Sequence, residues 1–189
     1  MARPREFDPV QALRAAMFLF WRRTYEQTTI RELAAAMGIG LPSLYATFGS
    51  KRRLFEQAVE LYMNTPEYVI TLDIDRHSAR DGIELMLSRA SAYYSDPSRP
   101  PGCLLNNQPR LVAERVLAQQ SILEFLESRR HQLPAGADLD ALANFYAAIL
   151  RGLSAQARDG ATKTQMRRVA DMAMAAWPQY DQSSSHGST

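Results

Sequence analysis

Apolar residues recur along the chain at steps of three and four, the spacing of a helical face, and they do so in separate runs. The first run carries Val10, Leu13, Met17 and Phe20 behind Asp8-Pro9, a pair suited to cap and open a helix. The second begins at Thr28 or Thr29, where Thr29 and Glu32 have capping-box spacing and Leu33, Ala34 and Met37 supply the apolar side. Gly38 should stop it. A short helix over Leu41 to Phe48 follows Gly38-Ile39-Gly40, and Gly49-Ser50 interrupts the chain again. Ser50 then caps a fourth helix with Leu54, Ala58 and Leu61 on one stripe and Phe55, Val59 and Tyr62 beside it.

Pro66 to Ser78 reads as a helix end and a connection, which places a domain boundary there. Beyond it the period stays helical. Residues 79–95 carry Ile83, Leu87, Ala90 and Tyr94, and the proline-rich residues 96–102 form a loop. Leu104 to Leu133 is expected to hold a short helix broken near Pro109 and then a longer one. Residues 139–158 make a continuous stripe, and a last helix runs from Thr164 to Trp177, stopped by Pro178. No segment alternates with period two, so the expected fold class is all-α: an N-terminal three-helix helix-turn-helix domain and a C-terminal helical bundle. The expected domains are 1–65, 66–181 for ligand binding and dimerisation, and a polar tail over 182–189 that should be disordered.

Composition changes this picture in two respects. The net charge is only +2, but residues 1–65 hold nine basic against six acidic side chains, so any attraction for a polyanion belongs to the N-terminal third. Cys103 is the single cysteine and His77, His131 and His186 lie far apart. Neither an intrachain disulfide nor a multi-thiolate zinc site can form, and Cys103 beside Leu104 and Leu105 reads as a buried structural residue. No cofactor is expected. The absence of a long apolar run argues against a membrane partner, and a reducing cytoplasm suits the lone thiol. A small helical enzyme is the weaker rival, since no nucleophile–base pair, metal cluster or phosphate loop is visible.

The chemistry concentrates in residues 29–51. Two helices joined by a tight glycine turn can place the second in the major groove of DNA, which is about 12 Å wide. With Leu44 and Phe48 facing inward, the helix leaves Pro42, Ser43, Tyr45 and Thr47 outward, small or hydroxyl-bearing groups that can approach base edges or phosphates, and Leu41 at its start is expected among the DNA contacts. Lys51 opens the next helix, where its ammonium and the helix N-terminus both favour phosphate. Arg52 and Arg53 read as solvated neighbours, and Arg3 and Arg5 as a basic tail or a phosphate-tracking arm.

Thr28-Thr29-Ile30, Leu33-Ala34, Gly38-Ile39, Ser43-Leu44-Tyr45, Phe48, Ser50-Lys51 and Leu54-Phe55, in register over residues 7–62, resemble the N-terminal domain of the TetR family of bacterial regulators. The resemblance implies that Thr29 and Arg31 lie near phosphates, that Pro42 and Ser43 approach bases, and that Tyr45 and Lys51 hold the DNA backbone. The chain departs from the family at Thr24-Tyr25, where glycine commonly precedes the aromatic, and at Thr47, where histidine is frequent. Residues 102–105, 152–160 and 175–178 are similar to the C-terminal domain of one subgroup, with a shorter stretch between Gly102 and Pro134.

Tyr62, Met86, Tyr93 and Phe125 either line a ligand cavity or form core at helical spacing. Gly152 lies among Ala147, Ala148 and Ala155, a surface made for close approach. With Leu142, Tyr146, Ile149, Leu153, Val169, Ala173 and Trp177 it suggests more apolar surface than one domain covers, hence a homodimer joined as a four-helix bundle. The expected function is a transcriptional regulator, a repressor, that binds double-stranded DNA at a near-palindromic operator and is released by a small apolar or amphipathic effector. The alternative is a regulator that answers to a protein partner and has no small-molecule pocket.

Overall fold

The computed structural model describes residues 7–65 and 77–179. Among these residues it is all-α, with nine α-helices, one short 3-10 turn and no strand. The basic tail with Arg3 and Arg5, most of the connection after Pro66, and residues 182–189 lie outside the described residues. The chain divides into two compact units: Met1–Tyr68 with Asp96–Leu111, and Val69–Ser95 with Val112–Thr189. The first unit therefore takes in a segment that follows the sequence-based boundary by some thirty residues.

In the first unit α1 spans Pro9–Arg22, and the Asp8 carboxylate accepts from the backbone N–H groups of Val10 and Gln11 at 2.8 and 3.3 Å. Its inward face carries Ala12, Ala16, Met17, Phe20 and Trp21. Val10, expected on that face, is 60% exposed: it sits in the first turn, before neighbouring helices cover α1. Helices α2 (Ile30–Met37), α3 (Leu41–Phe48) and α4 (Lys51–Met63) follow. The small Ala12 and Ala16 let neighbours approach closely, and the aromatic rings lock edge to face: Phe20 on Phe55 at 5.0 Å and Trp21 on Tyr62 at 4.9 Å between centroids. The one-turn helix α6 (Leu104–Asn107) buries Leu104 and Leu105 in the same unit, and the Tyr62 hydroxyl donates to Cys103 Sγ at 3.3 Å.

The second unit consists of α5 (Ala79–Tyr94), α7 (Val112–Glu127), the 3-10 turn Arg130–Gln132, α8 (Leu139–Arg158) and α9 (Lys163–Ala175). Ser78, Asp138 and Thr162 cap α5, α8 and α9 through their side chains. α8 packs on both α7 and α9, while α5 packs on α8 and α9. The last helix stops two residues before Trp177, whose ring nevertheless stays buried 6.0 Å from that of Tyr146.

Candidate nucleic-acid interface

The turn between α2 and α3 follows from its residues. Thr29 Oγ accepts from the Glu32 N–H at 3.2 Å while Glu32 Oε2 accepts from the Thr29 N–H at 2.8 Å, so each end of the box satisfies the other. Thr29's backbone N–H, then its hydroxyl, then Arg23 hold the Glu32 carboxyl below the usual carboxylate range. Gly38 ends α2 at φ 67°, a left-handed conformation in which a side chain would be strained, and α3 starts three residues later at Leu41.

α3 divides cleanly. Leu44 and Phe48 are 0% and 4% exposed, whereas Pro42, Ser43, Tyr45 and Thr47 lie on the exposed side. Leu41 is half-buried and Arg31 exposed. Tyr45 is 48% exposed. The Thr29 hydroxyl is committed to the cap, which leaves that residue its methyl group and its place at a helix N-terminus for any further contact.

Lys51 is less open than its sequence position suggests. Its Nζ donates to the Tyr25 carbonyl at 2.5 Å and lies 4.1 Å from the Tyr25 ring centroid. Partial burial lowers its pKa from 10.5; Glu26 and Glu32 oppose the shift and Arg110 reinforces it. Tyr25, to which no local sequence pattern assigns a role, is thus the platform of this corner of the unit. The Arg110 guanidinium lies on the same ring at 3.9 Å, and Gln108 accepts from the Tyr25 N–H at 2.8 Å. No short-range signal points to this set, because Gln108 is 83 residues from Tyr25.

A family pattern described as bacterial regulatory proteins, tetR family, matches residues 12–58, which contain this whole arrangement of helices α2 and α3 with Lys51. The HTH-type transcriptional repressor BdcR of Escherichia coli (strain K12) is 33% identical over 182 residues, covering 90% of this chain and 89% of that protein. The chain belongs to the TetR family. The HTH-type transcriptional repressor ComR of the same organism is 27% identical over 193 residues, covering 94% of this chain and 92% of that one. Among solved structures, a cysteine mutant of the TetR family regulator CifR, complexed with 26 bp double-strand operator DNA, is similar with TM-score 0.85 and 35% identity, covering 94% of this chain and 100% of that one.

This TetR family chain places its other expected site residues as follows. Met86, Tyr93 and Phe125 are buried in the second unit and Tyr62 in the first. An open groove of the second unit, about 360 Å³, is lined by His77, Asp81, Glu84, Leu85, Ser88 and Arg167. Of the residues expected at a dimer interface, Tyr146, Leu153, Ala173 and Trp177 are buried within the unit itself, where the Tyr146 hydroxyl reaches the Ala173 carbonyl at 3.5 Å. The periodic stripe that singled them out is the side of α8 and α9 facing their own core. Leu142, Ile149 and Val169 are half-buried, and Gly152 is exposed beside Ala148 and Phe145. Met172, which the stripe omitted, is 74% exposed on α9.

Among the described residues no group of His, Cys, Asp and Glu is arranged to hold a metal ion, and no helix is long and apolar enough to cross a membrane.

Proposed function

We propose that the chain is a DNA-binding transcriptional repressor whose α3 enters the major groove. The observation that carries this reading is the division of α3: two buried anchors, Leu44 and Phe48, hold a helix whose opposite side presents Pro42, Ser43, Tyr45 and Thr47 without covering. Pro42 and Ser43, at the helix N-terminus, approach base edges, while Tyr45, Lys51, Arg31 and the Thr29 end of α2 meet phosphates. The operator complex of the similar CifR regulator supports the DNA-binding reading.

In this reading the active species is a homodimer, because one eight-residue helix reads too few bases for a unique site. A two-fold dimer would set two α3 helices in successive major grooves about 34–36 Å apart, or at a longer spacing, on a near-palindromic operator. The exposed side of α8 with Phe145, Ala148 and Gly152, together with Met172 of α9, supplies an apolar surface for it. A small effector would release DNA only by binding more tightly to the form with mismatched heads. Met86, Tyr93 and Phe125 are the apolar candidates for its site and the His77–Arg167 groove the polar one.

The test is selection of bound sequences from a random DNA pool. A two-fold symmetric consensus is the expected result; recovery of no sequence, at low salt and micromolar protein, would exclude the reading.

A further inference from the structure

The last turn of a helix leaves carbonyls that no intrahelical N–H reaches. In α1 they are met from far along the chain. Asn107 Nδ2 donates to the Trp21 carbonyl at 3.1 Å, and Gln108 Nε2 donates to the carbonyls of Phe20 and Arg23 at 2.5 and 2.9 Å. With Gln108 Oε1 accepting from Tyr25, a fully buried amide clasps both the end of α1 and the loop that leads to α2. A buried amide with donors and acceptor satisfied fixes its neighbours in place.

Arg110 follows that clasp by two residues. Its guanidinium lies 3.9 Å from the Tyr25 centroid and 5.7 Å from that of Phe55. A guanidinium held over an aromatic ring keeps N–H donors that fit a phosphate with two parallel hydrogen bonds, and the Arg110 side chain is 39% exposed. On the same Tyr25 ring lies Lys51, at the first turn of α4. Each of these cations raises the electrostatic cost of the other, and Arg110 is among the causes that lower the Lys51 pKa. Arg110 is paired with the Glu26 carboxylate at 3.8 Å, with side-chain exposures of 39% and 60%, a solvent-screened pair that a closer anion can displace.

We propose that Arg110 is a DNA-phosphate contact, a part of the reading surface supplied from outside the helix-turn-helix and held beside Lys51 by Tyr25 and the Gln108 clasp. It rests on the DNA-binding reading above. Phosphate at the Tyr25 platform offsets the repulsion between the two cations, a backbone contact that involves no base. The position of Arg110 between α6 and α7, on the Tyr25 ring shared with Lys51 and not on α3, assigns it to affinity and not to sequence preference.

The experiment measures affinity for a selected operator and for an unrelated duplex across a range of salt, using the wild type, Lys51→Ala, Arg110→Lys and Arg110→Gln. The glutamine keeps a planar end that can rest on Tyr25 but has no charge. Arg110→Gln is expected to lower the slope of log K against log salt by about 0.9, to weaken operator and unrelated duplex by the same factor, and to leave the thermal midpoint unchanged; Arg110→Lys should keep the slope. A wild-type slope in Arg110→Gln, alongside a reduced slope in Lys51→Ala, would overturn the inference and make Arg110 a brace for Tyr25. Wild-type protein that binds neither duplex at low salt would overturn the DNA-binding reading itself.

Discussion

Gly82 of α5 lies directly against the ring of Phe125 in α7, so closely that a Cβ on the glycine would fall 2.2 Å from the ring's Cζ. The ring has nowhere to go. It is 1% exposed, and the Arg129 guanidinium rests on it at 4.4 Å while donating to the His77 carbonyl at 2.8 Å. Gly82→Ala gains about 1 kcal/mol of helix propensity and loses more to overpacking, typically about 1–3 kcal/mol. A lower urea midpoint is expected, with partial recovery when Phe125→Leu is added. A midpoint above the wild type would mean that the two helices are not in contact as described.

Tyr45 and Lys51 should separate in their effect on stability. Tyr45→Ala removes a side chain that is 48% exposed and is expected to weaken DNA binding on all sequences while leaving unfolding unchanged. Lys51→Ala also breaks the bond to the Tyr25 carbonyl, so it should weaken binding, flatten the salt dependence and cost on the order of 1 kcal/mol of stability. Titrations of labelled duplex beside chemical denaturation distinguish the two. Unchanged affinity in both variants would remove α3 and α4 from the interface.

The helices and caps were legible because their causes are local: the Asp8, Thr29 and Ser50 caps, the Gly38 stop and the buried pair Leu44 and Phe48 are written within a few residues of one another. Periodicity was less informative where a helix has two apolar sides. In α8 it could not tell the side holding Tyr146 and Leu153, which faces the unit's own core, from the side holding Phe145, Ala148 and Gly152. The Gln108 clasp was illegible for another reason. A glutamine in a proline-flanked stretch looks like any loop residue until the fold sets it under Phe20, Arg23 and Tyr25.

Burial pushes the Tyr146 phenol up to about 12 from an ordinary 10.0, with the Arg80 charge pulling weakly the other way. The folded state therefore keeps a proton that the unfolded chain gives up near pH 10. The sign follows: this contribution is intact below pH 10 and is lost as pH rises from there towards 12. Tyr146→Phe should abolish that loss, worth on the order of 2 kcal/mol at most, while at neutral pH it forfeits only a long hydrogen bond to Ala173, under about 1 kcal/mol. Denaturation at about pH 8 and about pH 11 measures both. Equal alkaline losses in the two proteins would show that the phenol titrates as if exposed.

Gly152→Leu tests the dimer with little risk to the monomer. A Cβ at Gly152 meets nothing within 4 Å, and Phe145 and Met172, 38% and 74% exposed, lie on the outward sides of α8 and α9. Within one chain, leucine in mid-helix should therefore raise stability, by roughly 0.8 kcal/mol. Between two chains the same side chain would stand where α8 is expected to approach its symmetry mate, and it would hold the surfaces apart. The variant is expected to be a folded monomer by light scattering, at least as resistant to unfolding per chain as the glycine protein. Operator affinity should collapse, because the second head no longer binds at the high effective concentration that the first supplies. A Gly152→Leu dimer with wild-type operator affinity would place the interface elsewhere, and a wild-type protein that is monomeric at micromolar concentration would remove the two-fold reading altogether.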